Sequence, residues 1–305
     1  MKAVRFDRYG DVDVLEVVDV PDPVPGEGEV LVRVRAAGIN PGEAAIRRGL
    51  LHERWPATFP SGEGSDPAGV VEQGASGSDQ WSTGDEVIGW TDNRASHAEL
   101  VVVDAEHLTP RPPEVPWDVA GALFVAGVTA WAAVRAVGPS AGDVIVISGA
   151  AGGVGTIAVQ LARNAGATVI GLASESHHDW LRDHGAIPVS YADGVTERIR
   201  EAAGGRVDAL IDTFGSGYVD LAIGLGISPE RIDTIADFEG AARHGVKTDG
   251  SLAGSSPTVL AELAGLIAEG KLEVPIAAEF PLDRVRDAFR LLEQRHTLGK
   301  IVLLP

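Results

Sequence analysis

The segment Ile147-Ser148-Gly149-Ala150-Ala151-Gly152-Gly153-Val154-Gly155-Thr156-Ile157 is the part of this chain best suited to chemistry. A short apolar run, Asp143 to Ser148, leads into it, and a helical pattern, Thr156 to Asn164, leads out. A second strand-like run, Thr168 to Leu172, follows at the distance of a strand–helix–strand unit. In that context Ala150, Gly152 and Gly155 occupy the three small-residue positions of a dinucleotide-binding turn. Ala150 replaces the usual first glycine, which suits the turn if its φ stays negative. Gly152, flanked by Gly153 and Val154, lets backbone approach a pyrophosphate, and Gly155 lets helix and strand pack closely. The helix N-terminus adds unpaired N–H groups and partial positive charge. The plain alternative is a glycine-rich turn with no ligand.

The second strand bears on which dinucleotide. It ends Leu172-Ala173-Ser174. An NAD site places an acid there to bond the ribose hydroxyls. Ala173 leaves room for a 2′-phosphate instead, Ser174 can donate to it, and His177 or His178 can add a donor. Glu175 and Asp179 oppose this, and the nearest cation in sequence is Arg182. The expected cofactor is NADPH. A later strand ends Asp212-Thr213-Phe214-Gly215, at an edge where such sheets bind ligands. There Gly215 permits close approach and Phe214 can wall a pocket.

Other chemistries are poorly provided for. The chain has no cysteine, which excludes disulfides, thiolate metal sites and a thiol nucleophile. Of eight histidines, His177 and His178 are adjacent and the rest lack a partner three or four residues on, so no metal site is expected. Tyr9, Tyr191 and Tyr218 are the only tyrosines, and none has lysine four residues later. No glycine-flanked nucleophile and no Ser-His-Asp pattern stands out.

The elements that must position these residues form two textures. Residues 1 to about 115 are β-rich. Strand-like runs at Leu15–Val20, Glu29–Ala36, Gly69–Glu72 and Glu86–Gly89 are punctuated by Gly62, Gly64, Gly69, Gly74, Gly77, Gly84 and Gly89. Such spacing suggests a small barrel or sandwich. After Pro110-Arg111-Pro112-Pro113 the pattern becomes helical over 117–137, with Trp117, Trp131 and Val134 as core candidates. Strands then alternate with helices, through Val207–Asp212 and Arg231–Ala236, which means a parallel sheet with crossovers. Amphipathic helices at 257–269 and 283–295 and a last strand, Lys300–Leu304, close the chain. The expected fold class is α/β, a doubly wound Rossmann domain plus a β-rich domain. The expected division is 1–116, 117–255 and a return over 256–305. The formal net charge of −19 disfavours nucleic acid and anionic membrane as partners. No run reaches the roughly 18 apolar residues of a membrane span, and the N-terminus alternates like a strand, so a cytoplasmic location is expected.

Taken in order, several segments resemble the medium-chain dehydrogenase/reductase superfamily. They are Ala37-Gly38-Ile39-Asn40-Pro41, Gly64-Ser65-Asp66-Pro67-Ala68-Gly69, Gly84-Asp85-Glu86-Val87, Ala126-Gly127-Val128-Thr129-Ala130-Trp131, the loop Gly149 to Gly155, and Gly299-Lys300-Ile301-Val302-Leu303. Within it the chain is similar to the zinc-free quinone oxidoreductase branch. The resemblance spans essentially the whole chain. It implies a chaperonin-10-like barrel for the β-rich domain and a homodimer built through Rossmann edge strands. The zinc enzymes carry ligands where this chain has Asn40, Ser65 and Val125, and an acid near the metal where it has Asp66. The resemblance places Asn40 near the nicotinamide and the substrate carbonyl, where its amide could donate to an oxygen gaining charge. Asn40 before Pro41 also fits a helix N-cap. Thr129 is expected by the nicotinamide, and Lys300 to reach the cofactor. The implied activity is hydride transfer from NADPH to a quinone or to the C=C bond of an α,β-unsaturated carbonyl. The alternatives are a zinc-free carbonyl reductase or alcohol dehydrogenase, and an NADPH-binding protein with little catalysis.

Overall fold

The computed structural model describes residues 1–75 and 80–305, and Gly77 lies outside the described residues. Two compact units form, Met1–Val125 with Ser256–Pro305, and Ala126–Ser255. The change of unit falls after residue 125 and not after residue 116. The reason is local: the Trp117–Gly121 helix packs on the Glu29–Gly38 and Asp66–Gln73 strands. A Cβ on Gly121 would lie 2.5 Å from the Ala36 carbonyl oxygen, so that helix rests directly on strand backbone.

In the first unit, the alternation of Val30, Val32 and Val34 with Arg33 and Arg35 makes Glu29–Gly38 a strand with one buried face. It is the central strand of a seven-stranded sheet. On one side it pairs with Lys300–Leu304, which pairs in turn with Ile276–Pro281. On the other it pairs with Asp66–Gln73, followed by Glu86–Gly89 and Leu108–Pro110, and it also pairs with Leu100–Asp104. A three-stranded sheet joins Glu16–Asp19, Lys2–Phe6 and Ser61–Gly62. Its core is built by Phe6, Leu15, Ile39, Val285, Phe289 and Leu303. The antiparallel register Gly38↔Asp66 and Gly38↔Val302 brings three distant segments side by side at the end of the long strand.

The second unit is a parallel five-stranded sheet. Its order is Ile187–Ser190, Thr168–Ala173, Val144–Ser148, Ala209–Asp212, Ile232–Thr234. Val144–Ser148 is first in sequence and central in space. The chain winds outward from it in both directions, so the topological switch lies at its carboxyl end, beside that of Ala209–Asp212. The expected continuous helix over 117–137 is two helices, Trp117–Gly121 and Phe124–Val137. Val134 is buried as expected. Trp117 and Trp131 are only half-buried; each instead lies under a guanidinium, Arg111 at 4.2 Å and Arg135 at 4.6 Å. No helix among the described residues is long and apolar enough to cross a membrane.

Candidate active site

At the switch point, Gly149 takes the left-handed conformation, φ +58, and Ala150 keeps a negative one, as an alanine there requires. The Gly153–Asn164 helix begins directly after. Its first N–H groups have no carbonyl one turn earlier to bond. Two glycines in this loop do different things. A Cβ on Gly155 would sit 2.2 Å from the Gly149 carbonyl oxygen and 2.8 Å from Ala150 Cα, so only hydrogen fits. A Cβ on Gly152 would meet nothing but that carbonyl, at 3.3 Å. Gly155 closes the turn, whereas Gly152, flanked by Gly153 and Val154, opens onto free space at the positive end of the helix.

A buried carboxylate braces this loop, and sequence reading gave it no role of its own. Asp212 Oδ1 accepts from Ser148 Oγ at 2.5 Å, Gly215 N–H at 2.9 Å and Phe214 N–H at 3.1 Å, while Oδ2 accepts from Thr234 Oγ1 at 2.7 Å. Ser148 Oγ accepts from Thr213 N–H at 3.0 Å, and Thr213 Oγ1 donates to the Ser148 carbonyl at 2.7 Å. Three strand ends are thereby tied to one side chain. The glycine loop and the Phe214–Gly215 turn come together: a Cβ on Gly149 would lie 2.7 Å from Thr213 Oγ1 and 3.4 Å from Phe214 Cβ. Gly215 has φ +88, and Phe214 keeps over a third of its surface exposed. The available signal was an acid at a strand end one strand away from the glycine loop.

At the end of Thr168–Ala173, Ser174 Oγ lies 2.9 Å from Ser176 Oγ and 3.2 Å from His177 Nδ1, and His178 Nε2 lies 3.3 Å from the Ala173 carbonyl. No acid follows Ala173 directly. Arg182 pairs with Asp179 at 2.6 Å. One strand over, Arg198 spends its guanidinium on the Ser190, Ala192 and Asp193 carbonyls, and Ser190 is the register partner of Ala173.

In the first unit, Asn40 and Lys300 do meet, but not as expected. Asn40 precedes the Pro41–Arg47 helix, and Glu43 Oε2 accepts from its backbone N–H at 2.8 Å, half of a capping box. The Asn40 amide nitrogen donates to Glu43 Oε1 at 3.1 Å and to Asp66 Oδ2 at 3.2 Å, and its oxygen accepts from Lys300 Nζ. Both amide hydrogens are therefore spent inside the protein, and Asn40 is no free donor. Lys300 is buried, donates to the Ile39 carbonyl at 3.0 Å and lies 3.6 Å from Asp66 Oδ2. Its charge is neutralised within the first unit. The positions of the zinc enzymes' ligands turn toward the same carboxylates. Ser65 N–H donates to Glu43 at 3.2 Å and Val125 N–H to Asp66 at 3.0 Å. Burial raises Glu43, offset in part by Asn40. Burial likewise raises Asp66 to about 6, offset by Lys300. Glu43 was missed, although Asn-Pro-Gly-Glu has the spacing of a capping box. Among the described residues no three His, Asp or Glu side chains are placed to hold a metal ion. Thr129 is buried on the Phe124–Val137 helix of the second unit.

Together the two units have the architecture of a dehydrogenase, a Rossmann domain joined to a GroES-like one. A family model described as alcohol dehydrogenase GroES-like domain matches residues 26–156, and one described as zinc-binding dehydrogenase matches residues 184–303. A quinone oxidoreductase of Pseudomonas aeruginosa is 31% identical over 100% of this chain and 99% of its own length. Among solved structures, the quinone oxidoreductase from Coxiella burnetii superposes with a TM-score of 0.90 at 31% identity, covering 100% of this chain and 99% of that one. Escherichia coli quinone oxidoreductase complexed with NADPH gives 0.90 at 26%, covering 100% of both. This chain belongs to the medium-chain dehydrogenase/reductase superfamily, in its zinc-independent quinone-oxidoreductase-like branch.

Proposed function

We propose that this protein is an NADPH-dependent reductase of quinones or of the C=C bond of α,β-unsaturated carbonyls. The observation that carries the reading is the loop at the switch point, open at Gly152 and closed at Gly155. It fits a dinucleotide: the helix N-terminus and Gly152 would hold the pyrophosphate, Ala150 and Gly155 keep the turn tight, and Gly153 and Val154 add backbone donors. Ser174 and His178, beside a strand end without an acid, would take the 2′-phosphate. Gly215 and Phe214 would line the approach, and Thr129 would lie by the nicotinamide. When bound, NADPH supplies a hydride.

The residue types argue for which acceptor. Reduction of a simple ketone needs a group to protonate an alkoxide, and none of Tyr9, Tyr191 and Tyr218 has a lysine four residues on to serve with it. A conjugated acceptor spreads its charge into an enolate or phenolate, a weaker base that takes its proton from water. Incubating NADPH with enones and quinones and analysing the products tests this. Saturated ketones or hydroquinones are expected, and an allylic alcohol with its C=C intact would favour the carbonyl-reductase alternative. NADPH binding with no turnover of any such substrate would favour a binding protein. On the pattern of the resembling family we place the protein in the cytoplasm as a homodimer, checked by light scattering on the eluting protein.

A further inference from the structure

We infer that the first unit encloses a structural water site between Arg47, Glu63, Ser96 and His97, and that this site anchors the strand end leading to Asn40. All four side chains are buried. Six of their polar atoms have no hydrogen-bond partner among the described residues: Arg47 Nε and Nη1, Glu63 Oε1 and Oε2, Ser96 Oγ, and His97 Nδ1. They share one locality. Arg47 Nη1 stands 3.8 Å from Glu63 Oε1, close enough to pair by charge and too far for a hydrogen bond. A Cβ on Gly64, the next residue, would lie 2.4 Å from Ser96 Oγ and 2.3 Å from His97 Cδ2. The Phe289 ring is 4.8 Å from the Arg47 guanidinium and 6.0 Å from the His97 ring.

The donors and acceptors identify the ligand. Arg47 offers N–H groups, His97 Nδ1 needs a donor, Ser96 can do either, and burial pushes the Glu63 carboxyl well above its usual range, so that it too can accept or, protonated, donate. A cation would face the guanidinium, and the charge of Arg47 is already met by Glu293 at 2.6 Å, which leaves no need of an anion. A small neutral molecule that both donates and accepts satisfies both sides, and buried polar groups in proteins are ordinarily completed by water in this way. The imidazole passes the constraint on. His97 Nε2–H donates to the Gly38 carbonyl at 3.0 Å, which leaves Nδ1 as an acceptor. Burial lowers His97 to about 4, so the ring is neutral near pH 7, as that role needs. Water donating to Nδ1 thus fixes the tautomer that holds Gly38, two residues before Asn40.

A high-resolution crystal structure of the full chain tests this directly. Expected is density about 3 Å from at least two of the six atoms, with no anomalous signal. Arg47 and Glu63 closing to a direct hydrogen-bonded pair with no such density would overturn the site, as would an anomalous peak from a metal ion. Oxygen-17 relaxation dispersion gives a second reading in solution. Wild type should show slowly exchanging water that R47M/E63M loses. A folded double variant with unchanged dispersion would overturn the proposal, and if that variant does not fold, the same comparison is made with Ser96→Ala, whose exchange should be faster.

Discussion

Replacing Asp212 by alanine should destabilise the second unit severely and weaken NADPH binding with it. The carboxylate accepts four hydrogen bonds in a fully buried setting, from Ser148, Phe214, Gly215 and Thr234. Alanine leaves the Gly215 N–H with no acceptor and releases two hydroxyls that can turn only partly toward other partners. Each unsatisfied buried donor costs about 1–3 kcal/mol. Removing a desolvated charge returns part of that. The net expectation is about 3–5 kcal/mol, a fall in Tm on the order of 10 °C. Asp212→Asn keeps one acceptor oxygen for three of the four donors and turns an amide toward Thr234, so about 1–2 kcal/mol is expected. Thermal unfolding followed by circular dichroism measures both variants, and calorimetric titration with NADPH reads the loop. The loop should suffer because Ser148 immediately precedes Gly149 and is held by the same carboxylate. An Asp212→Ala protein within about 1 kcal/mol of wild type, with NADPH affinity unchanged, would refute the view that this side chain braces the cofactor loop.

Gly152→Val should abolish NADPH binding in a protein of near-native stability, since a side chain there meets little protein but enters the space a pyrophosphate needs; native affinity would show that the loop is only a turn. Ala173→Asp should shift preference from NADPH toward NADH by repelling the 2′-phosphate and bonding the ribose diol, and an unchanged ratio of dissociation constants would count against the proposed subsite. Asp66 and His97 should oppose one another in acid. Between about pH 4 and 6 the unfolded chain has released its Asp66 proton and the folded one keeps it, so Asp66 makes stability fall as pH rises. His97, held neutral in the folded state down to about 4 and protonated sooner when unfolded, makes stability rise with pH across much of the same window. Asp66→Asn should therefore steepen the loss of stability on acidification from pH 6.5 to 4, by on the order of 2–3 kcal/mol; urea unfolding across that range measures it, and parallel curves for the two proteins would remove Asp66 from the account.

The sequence by itself determined what depends on neighbours along the chain. The order of strands and helices, the turn at Gly149 to Gly155, the acid-free end at Ala173 and the helix start at Asn40-Pro41 all rest on local periodicity, φ preference and side-chain size, and each can be read in a window of a few residues. Glu86–Gly89 and Lys300–Leu304 were recovered to their ends, whereas Leu100–Asp104, Leu108–Pro110, Ile187–Ser190 and Ile276–Pro281 were not named from the sequence. Only the tertiary structure decided which polar atoms remain available. Asn40 and Lys300 read as donors pointing outward, yet the register that aligns Gly38 with Asp66 and Val302 folds both onto buried carboxylates. Asp212 looked like an ordinary strand end until the parallel order set it between Ser148 and Thr234. The physical reason is common to both. A hydrogen bond is short and directional, so a polar group's function depends on partners within about 3 Å, and here the deciding partners include Thr234, 22 residues from Asp212, and Lys300, 260 residues from Asn40.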